Sequence, residues 1–242
     1  MIRNVVRRLS NGVVLKRHLP REFGAAPLLV SPECALGYWR YNLKHVDPFL
    51  LSMVSELVRP GMVVWDVGAN SGLFSFAAAG IGARVVAIEP DTWLANLLHR
   101  SVLMNRLPVI VLAAAASDAS GISALHLSEH GRASNSLQGS GPPQDTVTIT
   151  LDWLLEHSPT PQLVKIDVEG CEAAVLRGAT KLLRTRPIVF CEVTRHHDDV
   201  AYLLGAAGYA LYAAREADRH PLQRPSYDTL AVPREVPVPR GV

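Results

Sequence analysis

The chain has 242 residues, of which 48% are apolar, so it can bury one sizeable core and gives no reason to expect a second domain. Its formal net charge of +2 is far from the concentrated basic surface of a nucleic-acid-binding protein. No apolar stretch approaches the ~18 residues of a membrane span, no signal peptide is recognisable, and the three cysteines lack the spacing of a disulfide framework or a zinc site. We therefore expect a cytoplasmic protein with neither a nucleic-acid partner nor a transmembrane segment.

Five short apolar runs predict strands that are buried on both faces, as in a parallel sheet. They cover residues 62–66, 83–89, 109–114, 162–167 and 187–193. Helical spacing of apolar residues predicts helices over 73–79, 92–105 and 172–185, and Asp47-Pro48 is typical of the start of a further helix that runs to about Val58. This alternation predicts a doubly wound α/β fold.

Two regions depart from the alternation. Residues 121–128 and 146–150 alternate around a loop-like segment and predict a small β insertion after the third strand. Residues 208–214 and 228–233 predict a terminal antiparallel pair, which makes the main sheet seven-stranded and mostly parallel. We accordingly expect a lead-in over 1–46, one domain over 47–232 and a Pro-rich tail over 233–242.

The lead-in carries only basic charged side chains before Glu22. This pattern favours a solvated helix face over membrane docking. The residues concerned are Arg3, Arg7, Arg8, Lys16, Arg17 and Arg21.

The first predicted strand ends in WDVGANSG, residues 65–72, where the chain makes a tight turn into a helix. Such a turn presents backbone N–H groups to a ligand. A dinucleotide fingerprint would need a glycine where Asn70 stands, and a P-loop would need Lys-Ser/Thr where Leu73-Phe74 follow Gly72. The sequence therefore disfavours NAD and ATP.

A ligand without phosphate but with a carboxylate, an ammonium, a sulfonium and a ribose fits this turn better. Asp66 can pair with a cation, and the backbone of Gly68, Ala69 and Asn70 admits close approach before the helix begins at Gly72. These features point to S-adenosylmethionine.

Two further carboxylates fit an adenosine. Glu89 ends the second predicted strand, where an acidic residue accepts hydrogen bonds from ribose hydroxyls, although it could instead simply open the next helix. Asp118 follows the third strand and could accept the adenine amino group, or it could be an ordinary turn residue.

Several segments together resemble the FkbM-type S-adenosylmethionine-dependent methyltransferases. The motifs, in chain order, are VVWDVGANSGLFSFAAA, VVAIEPD, AAAASD, LHLSEHGRASNSL, TLDWLL, LVKIDVEGCEAAVLRGA and VFCEV, and they extend over roughly residues 47–232. The resemblance implies a class I, Rossmann-like methyltransferase fold and methyl transfer to a hydroxyl oxygen of a sugar or a secondary metabolite. Trp65 departs from the smaller aliphatic residue that is common before the motif aspartate.

An alcohol acceptor must lose its proton, so we expect a general base or a metal near the carboxyl ends of the strands. Asp167 and Glu169 follow the fourth strand, and Glu192 ends the fifth. Period two places Lys165 on the face of Asp167, and a buried lysine needs a partner. We expect a Lys165–Asp167 couple that is either catalytic or a structural ion pair. A magnesium-assisted reaction would use Asp167 and Glu192.

The roles of several other polar residues are left open. His196 and His197 could border the acceptor site or begin a helix, and His130, Asn135 and Ser136 could bind substrate hydroxyls or cap a turn. Methyl transfer to nitrogen is less favoured, because the fourth strand leads into Asp-Val-Glu-Gly and not into the Asn/Asp-Pro-Pro-aromatic turn that is typical of methylation of base amino groups. A non-catalytic binding module remains a further alternative. The acceptor and the oligomeric state are not predicted.

Overall fold

The computed structural model describes residues 10, 12–128 and 131–239. Three arginines of the basic N-terminal stretch, Arg3, Arg7 and Arg8, lie outside the described residues, as do His130 and the last three residues of the tail. The predicted boundaries at 46/47 and 232/233 stay predictions.

The described chain contains twelve strands and seven α-helices. The strands are β1 (Leu15–His18), β2 (Pro27–Val30), β3 (Val63–Val67), β4 (Arg84–Ile88), β5 (Val109–Leu112), β6 (Ala115–Ala116), β7 (Gly121–His126), β8 (Pro143–Ile149), β9 (Leu163–Ile166), β10 (Ile188–Glu192), β11 (Tyr209–Ala213) and β12 (Asp228–Pro233). The helices are α1 (Pro48–Leu57), α2 (Leu73–Ile81), α3 (Thr92–Asn105), α4 (Leu151–His157), α5 (Glu172–Arg177), α6 (Thr180–Arg184) and α7 (His197–Ala206). Short 3-10 helices cover Arg21–Phe23, Leu36–Trp39, Leu43–His45 and Arg132–Ser134.

The seven-stranded sheet has the order β5-β4-β3-β9-β10-β12-β11. Strand β12 runs antiparallel to both of its neighbours, and the other adjacent pairs are parallel. This arrangement confirms the predicted doubly wound, mostly parallel sheet. From β3 the chain adds β4 and β5 on one side of the sheet and later β9 and β10 on the other. The order of strand addition therefore changes between β3 and β9, and the carboxyl ends of these two strands form the crevice in which such folds bind ligands.

Helices cover both faces of the sheet, which explains why the central strands have no polar face. All five residues of β3 are buried. Val64 belongs to the cluster packed by α1 to α3, whereas Trp65 and Val67 belong to the cluster packed by α4 to α7. Two hydrophobic cores therefore hold the strand ends in fixed positions.

Helix starts follow the capping chemistry of the sequence. The carboxylate of Asp47 accepts a hydrogen bond from the backbone N–H of Leu50 at 2.8 Å, and Asp91 accepts from the N–H of Trp93 at 2.9 Å. Pro48 occupies the first turn of α1, where its missing N–H costs nothing. These two predicted helices begin where expected.

The single helix predicted over 172–185 was wrong, because the chain forms α5 and α6 with a break at Gly178. A Cβ atom at Gly178 would lie 2.2 Å from the carbonyl oxygen of Ser117, so the neighbouring chain passes directly over this position. The carboxylate of Asp152 then accepts from the N–H groups of Lys181 and Leu182 and starts α6. This tertiary contact leaves no trace in the apolar periodicity.

The predicted insertion forms a separate three-stranded sheet in the order β6-β8-β7. Strands β7 and β8 pair antiparallel, and β6 pairs parallel with β8. The β1–β2 hairpin and α4 were not predicted as elements, whereas α7 begins at His197, where a helix start was one of the two alternatives. Among the described residues, no helix is both long enough and apolar enough to cross a bilayer.

Candidate active site

The turn after β3 is fixed by packing as well as by hydrogen bonds. The N–H groups of Gly68 and Ala69 donate to the carbonyl oxygen of Ile88 at 2.9 and 3.0 Å. Gly68 has φ +80°, and a Cβ atom there would lie 1.8 Å from the carbonyl oxygen of Asp167. The turn therefore contacts the end of β9 so closely that only glycine fits.

Glu89 connects this turn to the end of β4. It is buried, and its carboxylate accepts hydrogen bonds from the N–H groups of Asn70 at 2.7 Å and Asp91 at 2.9 Å. Burial raises the pKa of Glu89 to about 7, although the two backbone hydrogen bonds oppose this shift. An ionised carboxylate offers about four acceptor positions, so Glu89 can still accept hydroxyl donors.

A cavity opens above the turn, and its character changes from one end to the other. One end is apolar, the middle carries Glu89 and the turn, and the other end is acidic. The lining residues are Gly68, Asn70, Ile88, Glu89, Pro90, Ala114, Ala115, Ala116, Leu125, Arg132, Asn135, Ser136, Leu137, Asp167, Val168, Glu169, Cys171 and Glu192.

Lys165 of β9 lies behind the acidic end and is almost completely buried. Its Nζ donates to Asp66 Oδ1 and to the carbonyl oxygen of Gly68, both at 3.1 Å, and it lies 3.3 Å from Asp167 Oδ2. Burial alone would lower the pKa of Lys165, but the charges of the two aspartates raise it above its ordinary value. The predicted Lys165–Asp167 ion pair is confirmed, and the same ammonium also holds Asp66.

The acidic end consists of Asp167, Glu169 and Glu192, and one carboxylate oxygen from each lies within 4.8 Å of the other two. Burial and repulsion between the carboxylates raise the pKa of Glu169 and of Glu192 to about 7. Tyr227 donates a hydrogen bond from its hydroxyl to Glu192. Such oxygens can accept a proton, and they are also the donor type that a divalent cation such as Mg²⁺ prefers.

Four other predicted cofactor-binding residues are not among those that line the cavity, namely Asp66, Ala69, Gly72 and Asp118. Asp66 is fully buried and accepts from Ser75 Oγ at 2.6 Å as well as from Lys165. Asp118 is exposed beside Ser117. Neither aspartate lines the cavity, so the direct cofactor contacts expected of them stay predictions.

Of the residues left open, Asn135 and Ser136 line the cavity. His196 is exposed at the N-cap of α7, and His197 is the first residue of that helix. Neither histidine is among the residues that line the cavity.

Comparisons with known proteins identify the family of this chain. The family model described as the methyltransferase FkbM domain matches residues 66–212. The hexuronic acid methyltransferase AglP of Haloferax volcanii is 31% identical over 178 residues, which are 70% of this chain and 72% of that protein. The chain belongs to the FkbM methyltransferase family.

Two further similarities are more distant. A ribosomal protein L11 methyltransferase of Chloroflexus aurantiacus is 33% identical over 91 residues, which cover 37% of this chain and 27% of that protein. The crystal structure of an FkbM methyltransferase from Methylobacillus flagellatus aligns with a TM-score of 0.49 at 18% identity, over 75% of this chain and 50% of the other.

This FkbM methyltransferase uses S-adenosylmethionine, and the cavity has matching chemistry along its length. The apolar end at Pro90, Ala115 and Leu125 suits a flat adenine ring, and Glu89 suits a ribose diol. The acidic end suits a sulfonium and an ammonium, because opposite charges attract most strongly where water is partly excluded. The residues therefore fit the cofactor in polarity and in charge.

Replacing Lys165 with Met should strongly destabilise the fold. The substitution leaves the fully buried Asp66 carboxylate without its cation, which costs roughly 3–5 kcal/mol. Urea unfolding monitored by circular dichroism measures the change. The control is Lys181→Met, which breaks an exposed ion pair with Glu156 and should change the free energy of unfolding by less than about 1 kcal/mol. Equal losses in the two variants would contradict this role of Lys165.

Cofactor affinity should rise with pH, because Glu89, Glu169 and Glu192 each have a pKa of about 7 in the free protein. A ligand with a positively charged sulfur favours ionised carboxylates, so binding releases protons. Between about pH 6 and about pH 8, affinity for S-adenosylmethionine should rise several-fold, and affinity for S-adenosylhomocysteine, whose sulfur is neutral, should rise less.

Isothermal titration calorimetry in buffers of different protonation enthalpy counts the released protons. Identical pH dependence for the two ligands would argue against the contribution of the sulfonium.

The raised pKa values also affect the stability of the free protein. The folded state binds the protons of these three carboxyl groups more tightly than the unfolded state does, so their contribution to the free energy of unfolding should be lost as pH rises through about 7.

Proposed function

We propose that this methyltransferase transfers the methyl group of S-adenosylmethionine to a hydroxyl oxygen of a sugar or a secondary metabolite. The observation that carries the proposal is the cluster of Asp167, Glu169 and Glu192 beside the cofactor turn, because a hydroxyl acceptor needs a proton acceptor at this place. The similarity to a protein named as a hexuronic acid methyltransferase supports a sugar acceptor. A small-molecule acceptor also agrees with the predicted cytoplasmic location and with the prediction of no nucleic-acid partner.

When bound, S-adenosylmethionine supplies a methyl group on a positively charged sulfur. Glu89 would accept hydrogen bonds from the ribose, and the backbone of the turn would hold the methionine part. The proposed cofactor-binding residues remain those predicted from the sequence, namely Asp66, Gly68, Ala69, Asn70, Gly72, Glu89 and Asp118.

The acceptor hydroxyl loses its proton to a carboxylate of the acidic end. Asp167 and Glu192 both line the cavity, and both also border a smaller neighbouring cavity beside Phe49 and Arg215. An acceptor in that smaller cavity would lie next to the same carboxylates. Lys165 acts by orienting Asp167 through the 3.3 Å ion pair. The remaining rate acceleration comes from binding the cofactor and the acceptor in alignment, because positive charge is lost rather than created during the transfer.

Replacing Asp167 with Asn tests direct proton transfer. If Asp167 accepts the proton, turnover at saturating S-adenosylmethionine should fall by roughly 10²- to 10⁴-fold, a much larger change than the loss of affinity for the cofactor. Release of S-adenosylhomocysteine is measured with a panel of methyl hexosides and methyl hexuronides as acceptors.

The same assay with EDTA separates the metal-assisted alternative. Complete loss of activity with EDTA, restored by added Mg²⁺, would place a cation rather than a free carboxylate beside the acceptor. An Asp167→Asn protein that turns over at the unmodified rate would remove Asp167 from the mechanism.

Replacing Glu89 with Gln tests the ribose contact. Gln keeps the shape of the side chain but removes the charge from hydrogen bonds worth roughly 1.5–3 kcal/mol each, so affinity for S-adenosylhomocysteine should fall about tenfold or more. Calorimetry measures the dissociation constant, and Glu156→Gln on exposed α4 provides the control. Unchanged affinity would assign the ribose to another residue.

A further inference from the structure

One wall of the cofactor cavity is a short loop, residues 131–137, which we name the bridging loop. Asn135 Nδ2 donates to Asp91 Oδ2 at 2.9 Å, two residues beyond Glu89. Ser136 Oγ donates to the carbonyl oxygen of Glu169 at 2.8 Å. The loop is thereby connected to the middle of the cavity, near Glu89, through Asn135 and to the acidic end through Ser136.

Arg132 anchors this loop through two carboxylates. Its Nη1 donates to Asp91 Oδ2 at 2.6 Å, and its Nε donates to Glu33 Oε2 at 2.5 Å. The guanidinium carbon also lies 4.5 Å from the ring centroid of Trp93. The Asp91 side chain is 1% exposed and that of Glu33 is 10% exposed, so water screens these contacts little. Two carboxylates from different segments therefore pair with one guanidinium, and Arg132 connects these segments as a structural cation.

Glu33 belongs to the N-terminal segment, which precedes the region that the family model matches. The backbone supports the same contact, because the N–H of Arg132 donates to the carbonyl oxygen of Glu33 at 3.2 Å. A Cβ atom at Gly131 would lie 2.7 Å from that oxygen, so the loop lies directly against the segment. Glu33 Oε1 accepts from the N–H of Gly12 at 2.6 Å. Glu33 is therefore fixed from both sides.

We propose that Glu33 and Arg132 are positioning residues of the cofactor site, through which the N-terminal segment holds the bridging loop against the cavity and sets the affinity for S-adenosylmethionine. A loop that is ordered before binding spares the ligand the entropic cost of ordering it. Without the ion pair, Asn135 and Ser136 lose the anchor that keeps them on the cavity wall. The inference rests on the cofactor site of the proposed function and is independent of the acceptor.

The test is a double-mutant cycle with S-adenosylmethionine and S-adenosylhomocysteine as ligands. Glu33→Gln and Arg132→Gln should each weaken binding by roughly 5- to 50-fold, and the double variant should bind no more than about twofold more weakly than the weaker single variant. Arg132→Lys keeps the charge but replaces the planar fork, in which Nε and Nη1 donate separately to Glu33 and Asp91, with a single nitrogen, so it should weaken binding similarly. The control is Arg177→Gln, which breaks an exposed ion pair with Asp199 and should leave both affinities unchanged.

A second measurement separates positioning from a general effect on stability. Hydrogen exchange of the free Glu33→Gln protein should be faster in residues 131–137 while the amides of β3, β4 and β9 keep their protection. Affinities of Glu33→Gln and Arg132→Lys within twofold of the unmodified protein would overturn the inference. Uniformly faster exchange over the whole sheet would also overturn it. If the unmodified protein bound neither ligand, the cofactor site itself would be refuted, whereas failure to methylate any hydroxyl acceptor would refute only the proposed function.

Discussion

The ammonium of Lys165 determines how the functional end of the sheet is assembled. One buried cation contacts Asp66 on β3, the backbone of Gly68 in the turn and Asp167 after β9. A lysine in the middle of an apolar strand is costly unless it is paired, so its position imposes the positions of its partners. Because the turn also contacts Asp167 through Gly68, the turn after β3 and the end of β9 pack together as one unit. The orientation of the Asp167 carboxylate toward the cavity follows from this constraint.

Local chemistry explains which elements the sequence predicts well. The buried parallel strands appear as short apolar runs because helices cover both faces, and α3 begins as predicted because Asp91 supplies its N-terminal cap. The break between α5 and α6 was not predictable, since it depends on the carbonyl group of Ser117, far away in sequence. The β1–β2 hairpin was missed for a related reason. Its strands are four residues each, and they depend on contacts such as that between Leu29 N–H and Ser101 Oγ.

The sequence likewise predicts some residues of the candidate site and not others. Residues at the carboxyl ends of strands could be located from sequence, and Glu89, Asp167 and Glu192 do line the cavity. What the sequence could not show is how distant segments complete the wall. Arg132 and Glu33 are 99 residues apart, and no spacing rule connects an arginine in a loop with a glutamate in a lead-in segment. The segment 1–46 was accordingly described as a lead-in, although its Glu33 contacts a residue of the cavity wall.

The charge balance of the acidic end limits what can bind beside the cofactor. Asp167 is neutralised in part by Lys165, but Glu169 and Glu192 have no cationic partner among the ion pairs found in the described part of the chain. This surplus of negative charge favours a cationic ligand over its neutral product, so the product is held less tightly once the methyl group has left. The same charge repels an ionised carboxylate acceptor, whereas a neutral hydroxyl meets no such repulsion and finds a proton acceptor in place. On a sugar that carries both groups, this electrostatic difference supports the hydroxyl oxygen as the acceptor in the proposed reaction.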